Sequence, residues 1–294
     1  MSVSIPKVLY FPITKIILSI AVCLAMLFAV KAFITKPILN NIGFTENISE
    51  AIKNYISAFV LIFSYFFLFR FYEKRNITEL STKKLPKQFI GGFVLGLLSL
   101  SLVVFLLSVM GYYRIVKIEN YSYLLAPFSF LFTAALLEEI FFRLIIYRIL
   151  EEWLGTFWAL LVICVTFTVP HLFNNYVSLM TVLTLILFSF LVSLMYSLTK
   201  QLWLPFSFHL GWNFSMPLYG STLSGEENAG HIIKAKFDGP VLFIGGKFGM
   251  EDSIFTILIL IILSIIFLYV CKRQDKIRPA SHYSIHAGHD LSRQ

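Results

Sequence analysis

Two adjacent glutamates, Glu138 and Glu139, lie inside the apolar stretch LFTAALLEEIFFRLIIYRIL, and Arg143 follows four residues later. An ionised side chain at the centre of a membrane helix costs about 2.5–3.5 kcal/mol on insertion scales. Residues of this kind therefore face protein or water, pair with one another and mark functional sites. This stretch is accordingly the first candidate for chemistry.

Helix geometry separates the roles of the two glutamates. Glu139 and Arg143 share one face at a spacing of four residues, so they can form a buried ion pair. Glu138 is turned by about 100° from its neighbour and has no cationic partner on its own face of the helix. Because apolar surroundings make a carboxylate a better proton acceptor near neutral pH, we predict that Glu138 is reactive and that Glu139 and Arg143 support it. The alternative is that both acids only lock the packing of the helices.

Two later segments carry the polar groups that such a carboxylate needs. His171 directly follows Pro170, and His209 and Asn213 share a helical face at a spacing of four. Imidazole and amide N–H groups can stabilise a developing oxyanion, and His171 could share a water molecule with Glu138. We therefore predict a hydrolytic site with Glu138, His171, His209 and Asn213 as catalytic residues. Carboxylate and histidine chains also serve proton relays, so a proton-coupled transporter is a further alternative.

The same residues could instead hold a metal ion. Two histidines and a carboxylate match a hydrolytic zinc site with an open position, and its ligands would be Glu138, His171 and His209. The sequence contains no HExxH pair, and the amide of Asn213 donates hydrogen bonds better than it binds zinc. We therefore favour a metal-free site without a cofactor and keep zinc as the alternative.

The composition is that of a membrane protein. Of the 294 residues, 58% are hydrophobic and only 14% are charged, whereas soluble domains have about 25% charged residues. The net charge of +8 arises from bases in short loops between apolar runs, a pattern that indicates topology and anionic lipid headgroups. We therefore predict membrane lipid as a partner and exclude nucleic acid. The three cysteines are far apart, which favours free thiols.

Eight apolar runs predict one all-α, polytopic membrane domain with about eight transmembrane helices and the active site in the bundle interior. Residues 1–123 would form three helices and a basic loop, 124–271 a catalytic core of five helices, and 272–294 a basic polar tail. In the third run, Gly92 and Gly96 form a GxxxG pattern, which permits close helix approach but is a weak signal alone. The runs are about 16–30, 55–71, 89–112, 124–150, 154–173, 177–198, 202–219 and 253–271.

The placement of lysine and arginine predicts the orientation of the chain. With both termini inside, sixteen of the 24 basic residues fall in inner segments, which favours cytoplasmic termini in the cell membrane. On these boundaries Glu138 lies toward the inner side and His171 near the outer end of its helix. Catalysis requires the two to converge, through helix boundaries about 2–4 residues away from these or through a bend at Pro170. In the tail, His282, His286 and His289 are interpreted as an exposed tract rather than a metal site.

Three ordered motifs resemble those of the CPBP family, which comprises type II CAAX prenyl proteases and bacterial relatives linked to bacteriocin processing and self-immunity. They are EExxxR from Glu138, FxxxH from Phe167 and HxxxN from His209, and the segment from Gly245 to Glu251 is similar as well. The resemblance covers about 124–271.

This resemblance implies an eight-helix membrane fold and an intramembrane endopeptidase that acts on a peptide or protein substrate, prenylated or not. Glu138 would activate water with His171, and His209 with Asn213 would hold the oxyanion. The family includes members described as metalloproteases, and a glutamate mechanism without metal has been argued for the prenyl proteases. The competing hypothesis is a non-enzymatic membrane scaffold or bacteriocin-immunity protein.

Overall fold

The computed structural model describes residues 11–119, 125–226 and 231–280, and for residues 40 and 41 the backbone alone. Each of the eight predicted apolar runs coincides with a helix, so the all-α fold class is confirmed. His282, His286 and His289 lie outside the described residues. The helices are α1 Pro12–Val30, α2 Lys36–Ile42, α3 Glu46–Tyr72, α4 Leu85–Val109, α5 Leu125–Glu138, α6 Arg148–Leu154, α7 Thr156–His171, α8 Leu179–Thr199, α9 Trp203–Tyr219, α10 Val241–Ile244 and α11 Ile254–Arg273.

Five helices among the described residues are long and apolar enough to cross a membrane, which supports an integral membrane protein. They are Pro12–Leu39, which continues α1 through a π-helical turn, and α3, α4, α8 and α11. The number of eight spans and the division at residues 123 and 271 remain predictions. Helix α7 has only 16 residues, or about 24 Å, which is less than the roughly 30 Å hydrocarbon core of a bilayer.

Helices α4 and α9 approach each other so closely that only glycine fits between them. A Cβ atom on Gly96 would lie 2.2 Å from the carbonyl oxygen of Phe208, and one on Gly211 would lie 2.2 Å from that of Phe93. The pattern that begins at Gly92 therefore marks a real interface, although alone it is weak. This contact fixes the position of α9, which carries His209 and Asn213.

The segment with the two glutamates forms one continuous helical rod from α5 to α6. Its middle part, Glu139–Tyr147, is π-helical, a form that is frequent at functional sites. The rod ends at Gly155, whose φ of 79° is in the left-handed region that glycine tolerates. Helix α7 then runs back beside the rod, so that α6 and α7 form a tight hairpin.

Charged and irregular segments collect at two opposite ends of the bundle. At one end Lys15, Glu73 and Arg148 join the start of α1, the end of α3 and the start of α6. At the other end, β1 (Tyr113–Ile118) pairs antiparallel with β2 (Ile233–Phe237), directly beyond α4 and α9. Alternate connections therefore lie at opposite ends, as an up-and-down bundle requires.

Candidate active site

Glu138 and both predicted histidines meet at one point inside the bundle. The Oε2 atom of Glu138 lies 3.9 Å from Nε2 of His171 and 3.9 Å from Nε2 of His209. The side chain of Glu138 is 25% exposed, against 16% for His171 and 5% for His209. Three separate helical segments thus bring their polar groups to a common, partly accessible position.

The convergence follows from the hairpin at Gly155. Glu138 lies seventeen residues before this glycine and His171 sixteen residues after it. At about 1.5 Å per residue, both side chains are therefore about 25 Å from the same turn. Helix α7 includes Pro170 and ends at His171.

Glu139 is completely buried and contacts an arginine and a histidine. Its Oε1 atom accepts hydrogen bonds from Nη1 of Arg143 at 3.1 Å and from Nδ1 of His209 at 2.7 Å. The predicted pair with Arg143 is therefore present, and the contact with His209 is an addition that the sequence did not indicate. Because Nδ1 of His209 donates to Glu139, its Nε2 is directed toward Glu138.

His171 is oriented by its own helix. Its Nδ1 donates to the carbonyl oxygen of Phe167 at 2.8 Å, which leaves Nε2 directed toward Glu138. The ring of Phe167 lies between two side chains of the site, with its centroid 4.7 Å from that of His171 and 4.6 Å from the guanidinium carbon of Arg143. The aromatic residue of the FxxxH pattern thus holds both the histidine and the arginine.

A cavity of about 710 Å³ opens above these residues. Its walls are mostly apolar and come from α5, the π-helical segment, α7, α8, α9 and the loop after α9. Asn213 lines it one turn beyond His209, and in the described part of the chain its amide has no hydrogen bond to protein. The lining residues include Phe130, Leu137, Phe141, Phe142, Phe167, Leu185, Phe188, Trp212 and Leu223, with Glu138, His171, Asn174, His209, Asn213, Ser224, Glu226 and Glu251 as polar members.

Glu251 is a buried acid in the cavity wall for which the sequence indicated no role. Its carboxylate accepts hydrogen bonds from Nε1 of Trp212 at 2.9 Å, from the backbone N–H of Ser224 at 2.7 Å and from the Ser224 hydroxyl at 3.1 Å. Burial raises the pKa of Glu251, which lies before the last span. Ser224 has a left-handed backbone with φ of 49°, so Glu251 holds a strained turn against the cavity.

Four buried polar atoms of the predicted site have no hydrogen-bond partner among the described residues. They are Oε2 of Glu138, Oε2 of Glu139, and Nε and Nη2 of Arg143. Buried polar atoms are paired in the great majority of cases, and each exception calls for an explanation. Here the atom of Glu138 faces the cavity, where a reacting group would bind.

The alternative zinc site remains a prediction. Zinc ligands lie about 2.0–2.2 Å from the metal in a tetrahedral arrangement. Within the residues that the structure describes, no three side chains of histidine, cysteine, aspartate or glutamate are grouped as a ready metal site. The metal-free role of Glu138, His171 and His209 is likewise a prediction.

Comparison with known protein families gives one match. Residues 120–215 match the family described as type II CAAX prenyl endopeptidase Rce1-like. The matched region contains Glu138, Glu139, Arg143, His171 and His209, as well as Asn213. Comparisons with curated proteins and with solved structures gave no match.

Proposed function

We propose that the chain is an intramembrane protease of the type II CAAX prenyl endopeptidase (Rce1-like) kind, whose family model matches residues 120–215, and that it hydrolyses a peptide bond with a water molecule activated by Glu138 and His171. The observation that carries this proposal is the position of Glu138. Its unpaired Oε2 atom lies 3.9 Å from two imidazole nitrogens at the floor of the cavity. Polar contacts longer than about 3.5 Å leave room for a bridging water.

The nucleophile is generated between Glu138 and His171. A water molecule there donates one hydrogen to the Glu138 carboxylate and the other to Nε2 of His171, which is an acceptor because Nδ1 carries the proton donated to Phe167. Glu138 takes the first proton as the water oxygen attacks the carbonyl carbon of the substrate. A C–O bond forms, and the carbonyl π electrons move to the oxygen.

The resulting oxyanion is held by His209 and Asn213. With Nδ1–H of His209 donated to Glu139, a protonated Nε2 makes the ring an imidazolium that donates toward the oxyanion. Two carboxylates, one guanidinium and one imidazolium then give a net charge of zero in the buried site. This balance matters because an uncompensated buried charge is costly. The Asn213 amide supplies the second donor.

The intermediate collapses when the leaving nitrogen is protonated. Glu138 returns the proton that it took from water, the oxyanion electrons re-form the C=O bond, and the C–N bond breaks. The products are an amine and a carboxylic acid, which releases its remaining proton to solvent. The group that was the general base thus becomes the general acid. Glu251 has no direct part in these reaction steps, but it positions the Ser224 turn as a wall of the substrate cavity.

The apolar cavity fits a membrane-associated peptide, including one with a prenylated cysteine. The purified protein should cleave a fluorescent peptide that carries a prenyl group, and an unprenylated copy tests the substrate class. Repeating both assays with a strong chelator tests metal dependence. Hydrolysis should survive the chelator and should be lost with His171→Ala or His209→Ala.

The matched control is Glu50→Gln, which removes a carboxylate that is 48% exposed and paired with Lys53. If the reporter is still cleaved by Glu138→Gln, His171→Ala and His209→Ala alike, the catalytic assignment is wrong. A chelator-sensitive activity restored by zinc would overturn the metal-free mechanism while leaving the protease assignment in place.

A further inference from the structure

The two-stranded sheet has one basic and one apolar face. On one face Arg114 lies opposite Lys236, and Lys117 lies opposite Lys234. A bulge between Ile115 and Lys117 maintains this arrangement, because it shifts the register by one residue. The other face is entirely apolar or aromatic, with the pairs Tyr113 and Phe237, Ile115 and Ala235, and Ile118 and Ile233.

The basic face juxtaposes like charges. Cations directly opposite each other in an antiparallel sheet repel and destabilise the pairing, yet both charged pairs of this sheet are cationic. Lys117 and Lys236 each contact one exposed carboxylate on their own strand. Among the described residues no carboxylate lies within ion-pair distance of Arg114 or Lys234. Four cations against two carboxylates leave this exposed face with an excess of positive charge, which attracts anions.

The apolar side of the sheet is only partly covered by protein. Ile115 is 52% exposed and Ile118 is 57% exposed, and in the bulge Val116 is 61% exposed. The neighbouring helix α10 adds Val241 and Leu242, which are 69% and 47% exposed. Exposed apolar clusters of this kind on a membrane protein contact lipid or another protein.

The sheet lies at the membrane boundary. Helix α4 crosses with Leu85–Val109, and only three residues separate its end from Tyr113. The four residue steps from Val109 to Tyr113 cover at most about 14 Å. Tyr112, Tyr113, Phe237 and Phe243 surround this junction in two contacting aromatic pairs, as is common at membrane–water interfaces.

From these features we infer that the β1–β2 sheet is a lipid-binding platform that rests on the bilayer and binds anionic phospholipid headgroups. The exposed isoleucines and Val116 enter the boundary of the acyl region, and the four cations lie at the level of the phosphates. Amphipathic elements with a basic polar face bind membranes in this way. The inference is independent of the proteolytic chemistry, since none of these residues lines the cavity.

The basic face is tested by counting bound lipids. The full-length protein is purified in mild detergent after exposure to phosphatidylglycerol, and native mass spectrometry counts the lipids that remain bound. Replacing Arg114, Lys117, Lys234 and Lys236 with glutamine should lower this number roughly twofold or more. The matched control repeats the count for the same two proteins with phosphatidylcholine, which carries no net charge and should bind both equally. An equal loss in the control, or no loss in the sheet variant, overturns the platform.

The apolar side is tested by a label that does not depend on the charges. Cys23, Cys164 and Cys271 are buried, so a single Val116→Cys can carry an environment-sensitive fluorophore. In bilayers of phosphatidylcholine with phosphatidylglycerol, iodide in the water should quench this label several-fold less than it quenches a label at Lys83→Cys. Equal quenching at the two positions would place the sheet in water or on an acidic protein segment, and would contradict lipid binding.

Discussion

Two groups of buried charges in this protein are built differently. The site cluster (Glu138, Glu139, Arg143, His171 and His209) has four buried polar atoms without a partner among the described residues. The ion-pair cluster at the other end of the bundle (Glu73, Arg75, Glu79 and Arg148) has none.

In the ion-pair cluster every carboxylate oxygen has a partner. Glu73 accepts from Lys15 at 2.9 Å, from Arg148 at 3.1 Å and from Arg75. The Oε2 atom of Glu79 accepts from Nη1 of Arg75 at 2.9 Å, and its Oε1 atom accepts from the hydroxyl of Tyr65 at 3.1 Å. The guanidinium of Arg148 also lies 4.6 Å from the ring centroid of Phe69.

Under the proposed function, this difference separates charges that hold helices together from charges that take part in catalysis. In a fully paired cluster each ion offsets part of its partner's desolvation cost, so loss of one partner is strongly destabilising. An unpaired carboxylate next to a cavity is retained at the expense of stability. Substitutions in the two clusters should therefore affect different measurements.

The largest effect is expected for Glu138→Gln. The amide cannot accept a proton from water, so kcat should fall by about 10²–10⁴-fold, the usual contribution of general acid–base catalysis. Because an unpaired buried charge is removed, the melting temperature in detergent should stay the same or rise. A kcat close to that of the unchanged protein would remove the distinction between the two clusters.

The opposite pattern is expected for Arg148→Met. Loss of one partner from a buried ion pair costs about 3–5 kcal/mol, here because Glu73 and Glu79 lose a shared cation. Unfolding measured by thermal shift should move to lower temperature, while kcat per folded molecule is unchanged. Arg114→Met, at an exposed position, is the control. A selective loss of kcat with normal stability would assign Arg148 to the catalytic machinery.

Glu139→Gln tests a residue with both a packing and a catalytic role. Its Oε1 atom is hydrogen-bonded to Arg143 and His209, and it belongs to the site cluster. Without the negative charge, the imidazolium of His209 loses its counter-ion, and kcat should fall by roughly 10²-fold with little change in KM. The control is Glu152→Gln, at an acid that is 43% exposed on α6. If only the melting temperature changes, Glu139 serves packing alone.

A smaller effect is expected for Glu251→Gln in the cavity wall. The glutamine amide has one acceptor oxygen and one NH₂ group. The donor of either Trp212 or Ser224 then faces the NH₂ group and loses its hydrogen bond. Leaving one buried donor unpaired costs about 1–3 kcal/mol, and KM should rise more than kcat falls as the Ser224 turn loosens. Glu251→Ala should give a larger rise in KM. An unchanged KM in both variants would limit Glu251 to a structural role.

The smallest effect under assay conditions is the pH dependence of the ion-pair cluster. Burial raises the pKa of Glu73, but Arg148, Lys15 and Arg75 outweigh it and lower this pKa from 4.5 to about 2. The folded pKa is thus below the unfolded value, so the stabilisation is complete above about pH 4.5 and is lost as the pH falls toward 2. Thermal shifts between pH 7 and 3 should show this loss, and Glu73→Gln should reduce it. A pH dependence unaffected by that substitution would contradict the pairing.

Some of the architecture was predictable because it depends on local patterns. Apolar runs of about twenty residues form helices in a membrane whatever surrounds them, and all eight runs are helical. The pair of Glu139 and Arg143 follows from helix periodicity alone. By contrast, the meeting of Glu138 and His171 was predicted, but its origin in the hairpin at Gly155 was not. Counting residues in both directions from that glycine would have shown it.

Other features had no local signal. Glu251 is only an acid before an apolar run in the sequence, and its contact with Trp212 connects residues 39 positions apart. The close contact of α4 and α9 was only hinted at by Gly92 and Gly96, because a GxxxG pattern is common in apolar helices. Its partner, Gly211, carried no signal of its own.

The sequence by itself determined that the chain is an all-α membrane protein with reactive side chains on separate helices, because composition and helical periodicity act over a few residues. Only the tertiary structure decided that Glu139 orients His209, that Glu251 braces the cavity wall, and that one set of charges is fully paired and the other is not. Those features depend on which helices pack together and at what depth, and packing between distant segments is a property of the whole fold.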